Sequence, residues 1–147
     1  MEQSYETQID ELNERVKVRV APSKIHGVGI FALRFIGKGQ KLYADNMPVV
    51  YDLPYSFFGK LFPEVRQLLL ERWPSIVNGN VFAYPTERVQ ALMNHAPTKE
   101  QINYDAINDV TIKDIPAGTE IFENYKLIPG WEIAHIWLDK PSHDIIK

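Results

Sequence analysis

The chain has 147 residues, 45% of them hydrophobic and 24% charged, and its 16 basic and 19 acidic side chains give a net charge of −3. This composition is typical of one globular domain and excludes an intrinsically disordered chain. The slightly acidic balance, with no run of lysine or arginine, argues against direct binding to nucleic acid.

Cysteine and histidine usage excludes several kinds of site. There is no cysteine, so the chain can form neither a disulfide nor a thiolate metal site, and its four histidines lack the spacing of metal ligands. No apolar run approaches the about 20 residues that span a bilayer, and the polar, acidic N-terminus is unlike a secretory signal. We therefore expect an intracellular protein, in the cytoplasm or nucleus, with no metal and no membrane partner.

The N-terminal third predicts a tail followed by short strands. Residues 1–15 carry Ile9 and Leu12 among acids and amides. A short helix is the alternative, but this composition favours an N-terminal tail. Residues 16–20 alternate apolar and basic side chains with the period of a half-buried strand. Further predicted elements are a loop at 21–27, a strand at 28–33, a turn at 37–39 and a strand at 48–53.

The centre of the chain changes to a helical pattern. Apolar side chains recur at helical spacing at Leu61, Val65, Leu68, Leu69 and Trp73. This pattern predicts a helical insert over residues 57–73 that packs one apolar stripe against a sheet. A second helix is predicted from Pro85, with Thr86 as its N-cap, to Met93.

The C-terminal third predicts further strands and a closing helix. The elements are a strand at 103–112, a turn at 116–118, a strand at 120–122, a helix at 132–138 and a tail at 139–147. Many short strands with inserted helices indicate one α+β domain, mainly β, over residues 16–138.

The pair Gly27 and Gly29 lies in the segment SKIHGVGIFAL, residues 23–33. A Gly-x-Gly pair alone is most often an ordinary turn. The dinucleotide-binding fingerprint also needs a third glycine and a following helix, whereas here a strand-like apolar run follows, so a Rossmann-type site is excluded. Because glycine has no Cβ, the pair does allow a ligand to approach the backbone closely.

Two polar motifs follow much later in the chain. Asn94 and His95 lie in ALMNHA, where the plain interpretation is a helix end before a turn at Pro97. An asparagine amide carries both donors and an acceptor, which suits it to hold a polar ligand. Tyr125 ends the run VTIKDIPAGTEIFENY and is one of seven tyrosines, so by itself it indicates only a core or surface aromatic.

Taken in this order, the three motifs resemble the SET-domain family of S-adenosyl-L-methionine-dependent protein-lysine methyltransferases, over about residues 18–131. The resemblance implies a β-clip-like fold of several short sheets, with a threaded pseudoknot and inserted helices. It also implies S-adenosyl-L-methionine as cofactor and a lysine-containing protein or peptide as substrate. The oligomeric state is left open between monomer and homodimer.

The resemblance implies roles for individual residues. The implied cofactor-binding residues are His26, Gly27, Val28, Gly29, Asn94, His95 and Trp131, the last by stacking over the adenine. Tyr125 is the implied catalytic residue, with its hydroxyl near the transferred methyl group and the lysine nitrogen. Tyr43, Tyr84 and Glu123 are the implied residues of the substrate channel. For Tyr84 and Trp131, packing in the core is the alternative.

The chain departs from the family pattern in several places. Ala96 stands where the family usually has serine, and a longer stretch precedes Asn103, the candidate for the asparagine that follows. Glu123 holds the position at which many relatives carry a phenylalanine or tyrosine that sets how many methyl groups are added. A carboxylate there could favour the charged, unreactive ammonium, bind the cation, or point outward from its strand, so the number of methyl groups is left open. The cysteine-rich zinc segment of many members is absent, so residues 126–138 are expected to close the channel by packing.

The implied reaction needs a neutral amine. A lysine with a pKa of about 10.4 costs on the order of 4.6 kcal/mol to deprotonate at pH 7, and a narrow apolar channel lowers this cost by desolvating the ammonium. We expect no dedicated general base, with Tyr125 orienting the amine. Two alternatives stay open: a catalytically silent SET fold that binds a peptide or cofactor, and an unrelated interaction module in which the motifs coincide by chance.

Overall fold

The computed structural model describes residues 4–42, 51–71, 75–83 and 92–127. Two α-helices lie in these ranges, α1 (Tyr5–Arg15) and α2 (Pro63–Glu71). The described strands are β1 (Val18–Pro22), β2 (Val28–Ala32), β3 (Tyr51–Pro54), β4 (Ser75–Val77), β5 (Asn80–Ala83), β6 (Asn94–His95), β7 (Tyr104–Asp105), β8 (Val110–Thr111) and β9 (Glu120–Glu123). Short strands joined by frequent turns confirm the prediction of an α+β, mainly β fold of several small sheets. The threaded pseudoknot stays a prediction.

Three sheets organise the described strands. The first has the order β1-β2-β9-β6, in which only the β6–β9 pair is parallel. The second has the order β3-β5-β4, and β7 pairs with β8 in the third. In the first sheet Ile30 lies opposite Ile121 in antiparallel register, so the start of β2 lies beside the end of β9. This arrangement brings the loop before β2 to the same end of the sheet as β6 and Tyr125.

Two separate clusters of apolar side chains form the interior. The insert core joins α1, β3, α2 and β5, and its buried members are Ile9, Leu12, Val16, Tyr51, Leu53, Phe58, Leu61, Val65, Leu68, Leu69 and Val81. The site core packs against the first sheet, and its buried members are Val18, Ile30, Ala32, Ile36, Leu42, Met93, Tyr104, Ile115 and Ile121. The sheet that carries the predicted motifs therefore has a core distinct from that of the insert.

The prediction of an N-terminal tail is wrong for residues 5–15, which form α1. Ser4 caps this helix, since its hydroxyl accepts a hydrogen bond from the Thr7 N–H at 3.2 Å. Ile9 and Leu12 are three positions apart, lie on one face, and are 4% and 0% exposed in the insert core. Two apolar side chains are a weak sequence signal, and burial against the rest of the protein stabilises the helix instead.

The predicted helix over residues 57–73 is divided. A 3-10 helix occupies Tyr55–Lys60, and Leu61 then has extended backbone, with φ −71° and ψ 147°. The α-helix begins only at Pro63, whose ring and missing N–H are tolerated in a first turn. The apolar stripe nevertheless packs as expected, with Val65 and Leu69 each 0% exposed.

The predicted strand over residues 103–112 is also divided, into β7 and β8. Asp105, the last residue of β7, accepts hydrogen bonds from the N–H groups of Ile107 (3.0 Å) and Asn108 (3.2 Å). Such local side-chain bonds to the backbone compete with strand pairing and form a turn.

Several predicted elements lie outside the described residues. They are most of the helix from Pro85, the closing helix at 132–138 and the C-terminal tail at 139–147. The domain boundary at residue 138 likewise stays a prediction.

Candidate active site

A tight loop between β1 and β2 carries the first predicted motif. The Ser23 hydroxyl accepts a hydrogen bond from Ile25 N (3.0 Å), and Ser23 N donates to Gly27 O (2.9 Å). Gly27 has φ +48°, a left-handed conformation that glycine adopts without strain. A Cβ added at Gly27 would meet no described atom within 4 Å. The loop therefore presents open backbone, as the predicted close approach of a ligand requires.

Gly29 allows a different close approach from the predicted one. A Cβ at this position would lie 2.3 Å from Glu120 Oε2 and 3.1 Å from Asn94 Nδ2. The first distance is well inside van der Waals contact. Glycine at position 29 therefore lets two polar side chains of the protein itself pack against β2, and it shapes the site through them.

Asn94 ties the loop to strand β6. Its side chain is 8% exposed, and its Nδ2 lies 3.2 Å from His26 O, 3.0 Å from Val28 O and 3.0 Å from Glu120 Oε2. The opposite amide orientation would face Oδ1 toward these same three acceptors, so the orientation is fixed. Among the described residues none donates to Asn94 Oδ1, which leaves one acceptor for a ligand.

Glu120 completes this cluster, and the sequence interpretation did not single it out. The Ser23 hydroxyl donates to its carboxylate, 2.7 Å from Oε1 and 2.9 Å from Oε2. Together with the Asn94 amide, this bond holds a half-buried carboxylate beside the loop. A signal was present, since Glu120 closely follows the predicted turn at 116–118 within the motif run that ends at Tyr125.

Tyr125 is held by the two residues that flank Asn94. Its hydroxyl donates a hydrogen bond to Met93 O, and its N–H donates to His95 Nδ1 at 3.1 Å. The rings of His95 and Tyr125 are 5.4 Å apart between centroids and tilted by 47°. Asn94 also bonds the loop, so the loop, Asn94 and Tyr125 form one continuous cluster.

The β6–β9 register divides the polar side chains between two faces. Asn94 pairs with Phe122 and His95 pairs with Glu123. Because side chains alternate along a strand, Asn94 lies on the face of Glu120, and His95 lies on the face of Glu123. We call these the Asn94 face and the Glu123 face of the β6–β9 ladder.

Burial changes the acid–base behaviour of Glu123 and Tyr125. Glu123 is 6% exposed, and desolvation raises the pKa of its carboxyl to about 7. Burial, and then the negative charge of Glu123, raise the pKa of the Tyr125 phenol to about 12. Tyr125 therefore stays a protonated hydrogen-bond donor at physiological pH, whereas Glu123 is close to half-ionised.

Asn103, the candidate for a second motif asparagine, supports the strand instead. Its Oδ1 accepts a hydrogen bond from Phe122 N (2.9 Å), and its Nδ2 donates to Glu120 O (3.1 Å). Both ends of the amide are thus bound to the backbone of β9. Ala96 is 4% exposed and its N–H donates to Glu123 O at 3.1 Å, so it also serves the strand pairing.

Comparison with known families decides the assignment of the fold. The family model for the SET domain matches residues 27–126, which include Gly27, Gly29, Asn94 and Tyr125. The chain belongs to the SET-domain family. The alternative of an unrelated interaction module with coincidental motifs is therefore wrong. No curated protein matches the chain in sequence.

Three solved structures are similar to this SET domain at low sequence identity and with TM-scores below 0.5. A Plasmodium falciparum protein described as a histone methyltransferase is 18% identical, with a TM-score of 0.35 over 74% of this chain and 92% of that one. A chain of the Chaetomium thermophilum Polycomb Repressive Complex 2 bound to GSK126 is 18% identical, with a TM-score of 0.34 over 82% of this chain and 17% of that one. The SET domain of the RIZ1 tumor suppressor (PRDM2) is 20% identical, with a TM-score of 0.33 over 86% of this chain and 83% of that one.

Three of the predicted site residues of the SET domain, Tyr43, Tyr84 and Trp131, lie outside the described residues. Within the described ranges, no group of three or more histidines and acids is arranged to hold a metal ion. The same ranges contain no helix that is long and apolar enough to cross a membrane.

Proposed function

We propose that the protein is an S-adenosyl-L-methionine-dependent methyltransferase that acts on a lysine ε-amine of a protein or peptide. Membership of the SET-domain family supports the reaction class, since the members are mostly lysine methyltransferases. One observation carries the assignment to particular residues. Asn94 bonds the loop at residues 26–29, while its neighbours Met93 and His95 bond Tyr125.

The residues of the Asn94 face fit S-adenosyl-L-methionine by the chemistry of their atoms. This cofactor carries a positive sulfonium and an amino group, which hydrogen-bond acceptors and negative charge attract. Asn94 offers its Oδ1, the loop offers open backbone at Gly27, and the carboxylate of Glu120 lies beside both. When bound, the cofactor supplies a methyl group made electrophilic by the sulfonium.

The chain's own residues position the amine. The Tyr125 hydroxyl donates its hydrogen bond to Met93 O, so its lone pairs are free to accept an N–H of the lysine amine. The raised pKa of Tyr125, about 12, keeps this group neutral, so that it orients the nitrogen and does not remove a proton. Holding the amine in line with the methyl group accelerates the reaction through orientation.

A first experiment tests cofactor binding by thermal unfolding with S-adenosylhomocysteine. A ligand that binds only the folded state stabilises it by about 2.7 kcal/mol at 100 times its Kd, which raises Tm by about 5–10 °C for a chain of this size. Adenosine at the same concentration is the control, because it lacks the amino acid end. If S-adenosylhomocysteine gives no stabilisation at millimolar concentration, the proposal is contradicted.

A second experiment tests methyl transfer. The protein is incubated with radiolabelled S-adenosyl-L-methionine and an array of lysine-containing peptides, each paired with a version in which arginine replaces the lysine. We expect label on a subset of the lysine peptides and none on their arginine partners. Cofactor binding without any transfer, including transfer to the protein itself, would instead support the catalytically silent SET fold.

A further inference from the structure

Glu123 is a buried acid for which the proposed function has no role. Its side chain is 6% exposed, which excludes the outward orientation that the sequence allowed. Its backbone oxygen accepts a hydrogen bond from Ala96 N, but among the described residues none donates to its carboxylate. A largely desolvated carboxylate without a hydrogen-bond donor is costly, so such a group often serves a ligand.

Other polar groups near Tyr125 are unsuited to take up a proton at neutral pH. The Tyr125 phenol already holds its proton and keeps it, because its pKa is raised to about 12. The Nδ1 atom of His95 already accepts the Tyr125 N–H. Glu120 lies on the opposite face of the ladder, where Ser23 and Asn94 hold its oxygens.

The described elements that pack against β9 bring no further candidate. Strand β2 has no titratable side chain. Strand β7 carries two, but the Tyr104 hydroxyl donates to Asp109, and Asp105 accepts from the Asn108 side chain within its own turn. His95 is the titratable group that β6 contributes, opposite Glu123 in the register. Of the described groups on this face, Glu123 alone combines burial with an unbound acceptor.

We infer that the Glu123 carboxylate accepts the proton that the substrate ammonium must lose before methyl transfer. The inference rests on the proposed function and revises the expectation that the enzyme has no dedicated general base. It makes Glu123 a catalytic residue on the Glu123 face, distinct from the cofactor-binding residues of the Asn94 face.

Burial brings the pKa of the Glu123 carboxyl closer to that of the substrate ammonium. For an ordinary ammonium and an ordinary carboxylate the equilibrium is unfavourable by about a millionfold. Raising the pKa of Glu123 from 4.5 to about 7 recovers about 300-fold of this. Desolvation of the ammonium in a closed channel lowers its own pKa and recovers more. A base with a pKa near the working pH is also the most efficient kind.

The step balances in protons and electrons. An N–H bond of the ammonium breaks, its electron pair stays on nitrogen, and an O–H bond forms on Glu123. The freed lone pair then forms the new N–C bond with the methyl group, and the electrons of the broken C–S bond stay on sulfur. The product is a methylated ammonium, and the proton on Glu123 passes to solvent when the product leaves.

A titration tests the inference without measuring turnover. The protein carries glutamate labelled with ¹³C at the side-chain carboxyl, and NMR spectra are recorded from pH 4 to 9 with S-adenosylhomocysteine present. The resonance missing from Glu123→Gln identifies Glu123, and we expect its midpoint near pH 7. Saturating n-butylammonium, which mimics a lysine side chain, is expected to lower that midpoint, while n-butanol leaves it unchanged. A midpoint near 4.5, or no response to n-butylammonium, overturns the inference.

Steady-state kinetics with a peptide that the enzyme methylates provide the second readout. We expect Glu123→Gln to lower kcat at pH 7 by about 10²–10⁴-fold, the usual range for removing a general base, and to lose less at pH 9–10, where more of the amine is neutral. Glu123→Asp, which keeps a proton acceptor, should recover part of the rate. Glu100→Gln, a change at an exposed glutamate, is the matched control and should match the wild type.

The two proposals fail in different ways. If S-adenosylhomocysteine binds and the peptide is methylated, but Glu123→Gln keeps the wild-type kcat and pH profile, then the enzyme stands and the role of Glu123 is wrong. If the wild type neither binds S-adenosylhomocysteine nor methylates a peptide, the proposed function itself fails, and the inference falls with it.

Discussion

Two buried asparagines use their amides differently: Asn13 in the insert half, which packs on the insert core, and Asn94 in the site half, which packs on the site core. Asn13, at the edge of the insert core, satisfies both ends of its amide, since Nδ2 donates to Lys60 O (3.3 Å) and Oδ1 accepts from Phe62 N (2.7 Å). Asn94 saturates its donors on the loop and Glu120, but its Oδ1 has no described donor. A structural asparagine forms hydrogen bonds within the protein at both ends of its amide, whereas an asparagine that binds a ligand leaves one amide atom available for it.

Two tyrosines, Tyr51 in the insert half and Tyr125 in the site half, show the same difference in their surroundings. Tyr51 in the insert core donates its hydroxyl to Glu11 Oε2 at 3.0 Å, and burial is the main cause of its raised pKa. Tyr125 donates to a backbone carbonyl, and the buried acid Glu123 lies close enough to raise its pKa further. Buried polar groups without a full set of partners within the protein are therefore concentrated in the site half. Matched substitutions in the two halves test this difference.

Among substitutions matched between the two halves, the tyrosine pair is expected to give the largest effect. Tyr125→Phe should lower kcat by about 10²–10³-fold, because it removes a positioned hydroxyl that acts on the reacting amine. S-adenosylhomocysteine affinity should stay near that of the wild type. Tyr51→Phe is the matched change and should lower Tm while leaving kcat unaltered. Steady-state kinetics and thermal unfolding measure both, and full turnover by Tyr125→Phe with the cofactor bound would remove Tyr125 from the mechanism.

The asparagine pair is expected to separate binding from folding. Asn94→Ala should weaken S-adenosylhomocysteine binding by about 10–100-fold, the value of a hydrogen bond to a charged group. Asn13→Ala should reduce the free energy of unfolding but leave the Kd of the folded protein unchanged. Isothermal titration calorimetry well below each variant's Tm gives both numbers. Equal loss of affinity in the two variants would mean that Asn94 is merely structural.

The glycine pair probes the close approach at β2. Gly29→Ala places a methyl group 2.3 Å from Glu120 Oε2, so Glu120 and Asn94 must move, and we expect about a tenfold loss of S-adenosylhomocysteine affinity with a lower Tm. Gly59→Ala, in the insert half, meets no described atom within 4 Å and should be neutral or slightly stabilising. If Gly29→Ala binds as well as the wild type, Glu120 and Asn94 do not shape the cofactor site.

The last prediction is a pH dependence of stability. Because the pKa of Glu123 is about 7 when folded and near 4.5 when unfolded, the folded state binds more protons between these pH values. The contribution of this group to stability is therefore present at low pH and lost as pH rises toward 7. Over pH 5 to 8 this pKa shift corresponds to about 2.5 kcal/mol of stability, so Glu123→Gln should raise Tm relative to the wild type by about 5–10 °C more at pH 8 than at pH 5. Glu100→Gln should show no such trend, and a flat difference for Glu123→Gln would mean that its carboxylate is well solvated.

Local pattern predicted much of the site half. The two-residue period of the first strands, the glycines of the loop and the Asn-His and Tyr125 motifs all fall within or beside regular elements of the first sheet. The order of the three motifs along the chain identified the SET domain, because the geometry of the site requires those residue types at those positions. Glu120 was missed because a glutamate at the start of a strand looks solvent-exposed until its partner Ser23, far away in sequence, is known.

Tertiary contacts decided the rest. Helix α1 could not be separated from a tail by composition, because its stability comes from burying Ile9 and Leu12 against the insert. The break at Leu61 was hidden by an apolar spacing that continues through it. The purpose of Gly29 was likewise invisible, since it depends on side chains from β6 and β9 that approach only in the folded sheet.

A crystal structure with S-adenosylhomocysteine tests the central claim most directly. We expect the ligand on the Asn94 face, with its amino group within hydrogen-bond distance of Asn94 Oδ1, its backbone contacts along residues 26–29, and its sulfur facing the Tyr125 hydroxyl. Density for the ligand elsewhere, or a Tyr125 phenol turned away from a ligand held by Asn94, would contradict the account.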